Sequence, residues 1–280
     1  MKRHLFAIAA SVLAVAVTIG SVIGAEGEKK KLLVGVAPGP YGDLFTKAVK
    51  PDLEKRGYSV EVKEFSDYVQ PNLALAGKDI DVNVFQHSVY LEKFAKDKEL
   101  KISPVVSIPT AGLGIFAKKI KSISEIKDGS EVTIANDPTN LARALRFLAA
   151  LKLITFKADI DPVKASEHDI AENPKKLKVT PVEAAQIPRT IDSVDFAVVN
   201  GNYAIAAGLK LSDAIALETL QENYKIVVAV RTDDAASAFA KEIKAIVESE
   251  TFKNVVEKPE NNFKEFQKPQ WYLEKWKLEK

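Results

Sequence analysis

The stretch LLVGVAPGPYGDLFTKAVKPDLEKRGYSVEVKEF (residues 32–65) decides the fold, because it reads as strand, turn, helix and strand in succession. Residues 32–36 form a short apolar run, and the Pro and Gly residues of 38–42 follow it as a turn. Residues 43–55 space apolar side chains as one face of a helix does, and residues 59–65 alternate polar and apolar side chains. Strands joined in this way by helices predict a parallel sheet.

The α/β pattern continues along the chain in two stretches. No Ser/Gly-rich linker separates them, so we expect a compact α/β body of two mostly parallel-sheet lobes with a ligand cleft between them. Residues 26–110 are expected to form the first part of lobe 1, residues 111–224 lobe 2, and residues 225–280 a return to lobe 1 with a helical tail. Further strands are predicted at 80–85, 113–117, 131–135, 194–199 and 226–230, and further helices at 71–76, 140–153, 203–207 and 235–248.

Residues 1–25 are typical of an export signal. Lys2 and Arg3 give a positive start, residues 5–17 are almost entirely apolar, and residues 20–25 supply the small side chains of a cleavage site. The apolar run falls short of the about 20 residues that span a bilayer, which makes a retained membrane anchor the less favoured alternative. The mature chain is therefore predicted to be exported to the periplasm.

Charge and composition exclude several classes of function. The leader holds two of the 40 basic residues and none of the 38 acidic ones, so the mature chain is neutral, which disfavours nucleic acid as a partner. No cysteine is present, which excludes disulfides, thiolate metal ligands and a Cys-linked lipid. His87 and His168 alone are too few for a zinc site. We expect neither a metal nor a cofactor.

Three segments place polar or aromatic side chains where predicted strands end. The first, VNVFQHSVYL (82–91), carries Phe85, His87 and Tyr90, and Tyr68 lies in the preceding strand-to-helix loop. Aromatic faces suit a thioether or an aliphatic chain, so these residues could wall an apolar slot. In the alternative interpretation, Phe85 and Tyr90 belong to the core and His87 only bonds a helix N-terminus.

The second segment, ANDPTNLARAL (135–145), reads as a turn and a helix start that Thr139 or Asn140 caps. Free N–H groups at a helix N-terminus favour an anion, and Arg143, one turn in, offers a two-pronged grip on a carboxylate. A surface arginine on a capped helix is the alternative, and Arg146 is a competitor for the same role.

The third segment, DFAVVNGNYA (195–204), brings Asn200 and Asn202 to the end of a buried strand. Paired amides can accept from an ammonium and donate to a carboxylate at the same time. A turn residue at Asn200 and a helix cap at Asn202 are equally compatible with the pattern. The aromatic tail, with Trp271 and Tyr272, is expected to pack in the core rather than to dock a partner.

These segments resemble the NLPA-type methionine-binding lipoproteins, which are the substrate-binding components of methionine ABC importers. The resemblance runs over essentially the whole mature chain and implies a bilobal periplasmic-binding-protein fold that encloses an amino acid. It is carried by FSDYVQPNLALAGKDIDVNVFQHSVYLEKF (65–94), ANDPTNLARAL (135–145), VEAAQIPRTIDSVDFAVVNGNYA (182–204) and IVVAVR (226–231). By this resemblance, the aromatic and His wall falls on Tyr68, Phe85, His87 and Tyr90, the carboxylate-holding arginine on Arg143, and the polar contacts on Asn140, Asn200 and Asn202.

The sequence departs from the family pattern at three positions. Ala25 stands where family members carry the lipid-bearing Cys, so the chain is expected to be free of a lipid anchor. Val89 replaces a proline two residues after His87. Ile226 stands where an Asn that touches the ligand is expected. Losing one neutral hydrogen bond costs about 0.5–1.5 kcal/mol, so binding survives while selectivity shifts.

The resemblance implies a non-enzymatic receptor that captures L-methionine or a close analogue and delivers it to the membrane permease of an ABC importer. None of the common nucleophile, nucleotide or metalloprotease motifs occurs in the sequence, which also disfavours an enzyme. A receptor for a different small amino acid or a Met-containing dipeptide is the main alternative. A surface interaction or adhesion protein is the other.

Overall fold

The computed structural model describes residues 30–161 and 163–279. The predicted export signal, residues 1–25, lies outside the described residues. The strands are β1 (Lys30–Val36), β2 (Tyr58–Glu64), β3 (Val82–His87), β4 (Ile102–Ile108), β5 (Gly114–Phe116), β6 (Glu131–Ala135), β7 (Thr155–Phe156), β8 (Ile170–Glu172), β9 (Lys178–Val182), β10 (Phe196–Val199), β11 (Ala216–Leu217) and β12 (Ile226–Arg231). The helices are α1 (Pro40–Ala48), α2 (Lys50–Lys55), α3 (Gln70–Ala76), α4 (Ser88–Asp97), α5 (Pro138–Ala150), α6 (Ile187–Thr190), α7 (Gly201–Ala206), α8 (Ala238–Val247), α9 (Glu250–Glu257) and α10 (Gln270–Trp276).

Two five-stranded sheets organise the described chain. The first, in the order β2-β1-β3-β12-β4, and the helices packed on it are called the first lobe. The second, in the order β11-β5-β10-β6-β9, and its helices are called the second lobe. In the first sheet, β1 pairs in parallel with β2 and β3, as the strand-helix-strand reading of residues 32–65 predicts.

Each sheet also contains antiparallel pairs, which the sequence pattern did not indicate. β12 pairs antiparallel with β3 and β4, and β5 pairs antiparallel with β10 and β11. The physical reason for β12 is its route: the chain reaches this strand from the second lobe and not through a crossover helix of its own sheet, so right-handed βαβ geometry does not fix its direction.

The sequence prediction missed the short strands β7, β8 and β11, and it also missed two longer ones, β4 and β9. Each contains a proline, Pro104 in β4 and Pro181 in β9, and a proline inside a run argues against a strand. Both strands lie at the edge of their sheets, where a residue without an amide hydrogen is tolerated.

The single helix predicted over residues 43–55 is wrong in two respects. It begins earlier, at Pro40, and it is divided into α1 and α2 at Val49. Pro51 has no amide hydrogen and its ring crowds the preceding turn, so the hydrogen-bond ladder of α1 cannot continue through it. Pro40, in contrast, lies in the first turn of α1, where its missing N–H has no partner to lose.

The core of the first lobe extends into the C-terminal tail. Tyr272 is fully buried, and the Trp271 indole nitrogen donates to the carbonyl of Ser107 at 3.0 Å. Phe263 and Phe266 pack in the same cluster. The tail therefore packs in the core, as expected, and it covers the sheet that carries one side of the cleft.

Candidate functional site

A cavity lies between the two lobes, where the loops that follow their strands meet. Part of the cavity is open to solvent. The structure brings all eight predicted ligand-binding residues to this cavity. The lining includes Tyr68, Phe85, His87, Tyr90, Asn140, Arg143, Asn200 and Asn202.

The first lobe contributes an aromatic wall, formed by Tyr68, Phe85 and Tyr90. Tyr68 stacks on Phe85 with 5.7 Å between ring centroids, and Tyr90 meets Tyr68 edge-on at 5.9 Å. The Tyr90 hydroxyl donates to the Tyr68 carbonyl at 3.1 Å, and the Tyr68 hydroxyl donates to Asn202 Oδ1 at 2.6 Å. Burial raises the pKa of Tyr68 well above its usual value, so this hydroxyl remains a donor. These contacts hold the rings of the wall in one arrangement.

His87 caps a helix, as the alternative interpretation expected, and also lies at the cavity. Its Nδ1 accepts from the Tyr90 N–H at 3.1 Å and so caps α4, while the side chain also lines the cavity. The neutral ring then carries its proton on Nε2, which faces Asn140 Oδ1 at 3.2 Å. Burial, and then the charge of Arg143, lower the pKa of His87 to about 3, so it is neutral at physiological pH.

The second lobe contributes amides, which α5 and the end of β10 position. Helix α5 is capped by Asp137 and not by Thr139 or Asn140, because the Asp137 carboxylate accepts from the Asn140 N–H at 3.0 Å. The Asn140 side chain is held by Asp137 as well, at 2.9 Å from Nδ2 to Oδ2. Asn140 Oδ1 then accepts from Asn200 Nδ2 at 2.9 Å.

Asn200 carries an unused acceptor. Its Oδ1 is buried and has no hydrogen-bond partner among the described residues. A buried acceptor without a partner costs about 1–3 kcal/mol, so a donor in the cavity would relieve it. Asn202, by contrast, has a partner at both polar atoms of its side chain. Its Oδ1 accepts from Tyr68, and its Nδ2 donates to the Pro38 carbonyl at 2.9 Å. These two bonds join the lobes across the cleft.

Arg143 is 4% exposed and is paired with a carboxylate that the sequence analysis missed. Its Nη2 lies 2.6 Å from Glu218 Oε2, and its Nε lies 3.0 Å from Glu218 Oε1. Burial acts to lower the pKa of Arg143, but the charge and hydrogen bonds of Glu218 outweigh it and leave the pKa raised. Arg146 is excluded as the cavity's arginine, since it bonds Tyr224 and Gln221 and does not line the cavity.

Several lining residues escaped sequence reasoning. Tyr41 and Gln86 come from the first lobe, Thr110 and Ala111 from the first crossing between lobes. The Tyr41 hydroxyl accepts from the Ala111 N–H at 3.2 Å, which ties α1 to that crossing. A usable signal existed for Tyr41, because it lies at the start of α1, just past the carboxyl end of the parallel strand β1.

The described residues also limit other kinds of site. Among residues 30–161 and 163–279, no group of three or more His, Cys, Asp or Glu side chains is arranged to hold a metal ion. No helix of the described chain is long and apolar enough to cross a membrane.

Two α/β lobes with a polar and aromatic cavity between them give the chain a periplasmic-binding-protein fold. The chain belongs to the NlpA lipoprotein family, whose family profile matches residues 32–271. It is therefore not an enzyme, and membership of a lipoprotein family supports its export. The family and fold expected from the sequence are confirmed.

Known proteins similar to the chain include curated relatives and solved structures. Outer membrane lipoprotein 3 of Mannheimia haemolytica is 38% identical over 245 residues, which are 86% of this chain and 93% of that protein. The D-methionine-binding lipoprotein MetQ of Escherichia coli K12 is 36% identical over 228 residues, 77% of this chain and 84% of that one. A nutrient binding protein from Burkholderia cenocepacia, solved bound to methionine, is 39% identical with a TM-score of 0.78, covering 84% of this chain and 97% of that one.

Proposed function

We propose that this protein is a periplasmic receptor that captures L-methionine or a close analogue and delivers it to the permease of an ABC importer. The observation that carries the proposal is the meeting of Arg143 and the Asn200 acceptor with an aromatic wall across one cavity. A similar protein 39% identical to this chain was solved with methionine bound, which supports the same ligand class here.

The roles of the lining residues follow from their chemistry. The ligand carboxylate binds Arg143, because a guanidinium matches a carboxylate with paired hydrogen bonds. The ligand ammonium donates to Asn200 Oδ1, which otherwise has no partner among the described residues. The thioether packs on Tyr68, Phe85 and Tyr90, since sulfur and aromatic rings attract each other weakly.

Methionine has enough heavy atoms for tight binding. Its about nine heavy atoms, at a ceiling of about 1.5 kcal/mol each, allow roughly 13 kcal/mol, which corresponds to nanomolar affinity. That affinity requires nearly every atom of the ligand to make a contact, which closure of the two lobes around it provides.

Ile226 favours a second candidate, a receptor for a related amino acid or a Met-containing dipeptide. Ile226 lines the cavity and is buried, so it presents an apolar side chain where the family pattern has an amide. A ligand that needs one polar contact fewer, or that satisfies this polar group itself, fits beside Ile226 better than methionine does.

Calorimetry on refolded, ligand-stripped protein tests the proposal, with a panel that contains both enantiomers of methionine, other amino acids and short Met-containing peptides. The two enantiomers are needed because the Escherichia coli relative is named for D-methionine. Tight binding of methionine is expected, together with weaker binding of amino acids that lack its side chain. Failure of every compound to bind would refute the proposal.

We further propose that the mature protein is free in the periplasm and that its lobes comprise residues 26–110 with 225–280 and residues 111–224. Ala25 supports the first point, because lipid attachment at the end of an export signal needs a Cys there. Metabolic labelling with palmitate in a Gram-negative host distinguishes the two states: no label is expected on the protein, and an Ala25→Cys variant is the positive control.

A further inference from the structure

Glu218 is the one partner that holds the Nε–Nη2 edge of Arg143 among the described residues. Its carboxylate accepts from Arg143 Nε at 3.0 and 3.1 Å and from Nη2 at 2.6 Å, and its side chain is 13% exposed. Glu218 directly follows β11, in the second crossing between the lobes. No sequence motif pointed to it.

The backbone and side chain of Glu218 are themselves held in place. Its N–H donates to the Leu113 carbonyl at 2.9 Å, and its Oε2 accepts from the Leu113 N–H at 3.1 Å. Its carbonyl accepts from Gln267 Nε2 at 2.7 Å. Gln267 in turn exchanges two backbone hydrogen bonds with Thr110. Glu218 is thus fixed where both crossings and the C-terminal segment meet.

The pairing leaves a defined part of the guanidinium for a ligand. Arg143 lines the cavity and Glu218 does not. The Tyr224 ring covers one face of the guanidinium, with 5.0 Å between Cζ and the ring centroid. Among the described residues nothing accepts from Nη1, which leaves the end of the guanidinium, Nη1 and the second hydrogen of Nη2, for the ligand.

We infer that Glu218 is a positioning residue that orients the Arg143 guanidinium toward the ligand carboxylate and balances its charge. The inference rests on the proposed function, since it assigns a carboxylate to the ligand. By accepting from both Nε and Nη2, Glu218 fixes the end of the Arg143 side chain. Arg143 therefore loses less side-chain freedom when the ligand binds. Its negative charge also leaves the Arg143–Glu218 pair neutral overall, which suits a zwitterion better than a lone buried cation does, because a lone cation would repel the ligand ammonium.

Glu218→Asp tests the inference, since it keeps the negative charge and withdraws the carboxylate by one methylene. The measurement is the affinity of the ligand-stripped protein for L-methionine and for L-methioninamide, which lacks the carboxylate. Methionine is expected to lose about tenfold in affinity or more, and methioninamide less than twofold. Glu222→Asp, an exposed carboxylate of the same crossing, is the matched control and should leave both affinities unchanged. Equal losses for the two ligands, or no loss for methionine, would overturn the inference.

A second measurement needs no variant, and it stands even where Glu218→Asp does not fold. Nuclear magnetic resonance of the Arg143 side chain in the wild-type protein should show an Nε–H that exchanges slowly with water and hardly shifts when methionine is added, while the Nη resonances shift. An Nε–H that shifts as much as Nη on methionine addition would show that the ligand displaces Glu218. If neither methionine nor methioninamide binds the wild type, the proposed function fails, and a rapidly exchanging Nε–H in the free protein would separately refute the role of Glu218.

Discussion

The two walls of the cavity differ in whether their polar atoms already have hydrogen-bond partners. On the first-lobe wall, the Tyr68 and Tyr90 hydroxyls and both His87 nitrogens already have partners, and what faces the cavity is mostly ring surface. On the second-lobe wall, Asn200 Oδ1 has no partner in the described chain, and Arg143 keeps one end of its guanidinium uncommitted.

Under the proposed function, this difference predicts a division of recognition into two parts. The aromatic wall, whose polar atoms have partners, is expected to select the ligand by the shape and polarisability of its side chain, whereas the polar wall is expected to bind the α-amino and carboxylate groups common to all amino acids. Changes on the second-lobe wall should therefore weaken every amino-acid ligand, and changes on the first-lobe wall should alter which amino acid is preferred.

The largest expected effect is the loss of the polar anchor in Arg143→Gln. Each hydrogen bond to a charged group contributes about 1.5–3 kcal/mol, so affinity should fall at least about tenfold for all amino acids alike. Titration calorimetry with methionine and a smaller amino acid measures this, and Arg146→Gln, outside the cavity, is the control. A loss of affinity for methionine alone would contradict the assignment of Arg143 to a group common to all amino acids.

The same substitution should also destabilise the fold, because it leaves the Glu218 carboxylate buried without its counter-ion. Breaking a buried pair in this way costs about 3–5 kcal/mol. The double variant Arg143→Gln/Glu218→Gln should recover most of that loss in urea unfolding, although not the affinity. No recovery would indicate that the pair contributes little to stability.

The second effect concerns His87 and the pH dependence of stability. Burial and then Arg143 lower its pKa from 6.5 to about 3. Between these two pH values, His87 is therefore protonated in the unfolded chain and neutral in the folded protein. The free energy of unfolding should therefore fall as pH decreases from 6.5 towards 3, by about 1.4 kcal/mol per unit, and stay constant above 6.5 as far as His87 is concerned.

Urea unfolding of the wild type and of His87→Asn at pH 7 and pH 5 tests this. Asn keeps a side-chain acceptor for the α4 N-terminus but does not titrate. The wild type should lose about 2 kcal/mol more than the variant between the two pH values. Identical losses would indicate that His87 takes up a proton in the folded protein near its ordinary pKa.

A smaller effect is expected from Phe85→Leu, which changes the aromatic wall. Aromatic contacts contribute about 0.5–1.5 kcal/mol beyond the area they bury, so methionine affinity should fall about two- to twelvefold. Alanine affinity should not change, because its side chain does not reach the ring. Phe94→Leu is the matched control, since Phe94 stacks on Tyr90 but does not line the cavity. Equal losses for methionine and alanine would contradict the division between the walls.

An effect of similar size and opposite sign is expected from Ile226→Asn. The amide would add one neutral hydrogen bond to a bound amino acid, worth about 0.5–1.5 kcal/mol, or about a two- to twelvefold gain in affinity. Ile226→Val, which adds no polar group, should produce no gain. Weaker methionine binding by the Asn variant would show that Ile226 packs against the ligand and favours a different one.

Sequence periodicity was sufficient for most of the fold, because the strands β1, β3, β6 and β10 are largely buried and more than half of the residues in each predicted run are apolar. It failed where a local signal contradicted the tertiary position. β4 and β9 carry prolines that only an edge position makes acceptable, and the direction of β12 depends on a route through the other lobe.

The site could be predicted where its residues end a strand or begin a helix. Asn140, Arg143, Asn200 and Asn202 were found in this way and all line the cavity, although their binding roles stay predictions. Glu218 could not be found, because it lies in an irregular crossing and its importance comes from a partner 75 residues away in the sequence.

A crystal structure of the protein with L-methionine tests the central claim most directly. We expect the carboxylate within hydrogen-bond distance of Arg143 Nη1, the ammonium next to Asn200 Oδ1, and the thioether against Phe85, with the Arg143–Glu218 pair intact. Methionine bound in the reverse orientation, with its side chain towards Arg143, or bound outside this cavity, would contradict the account.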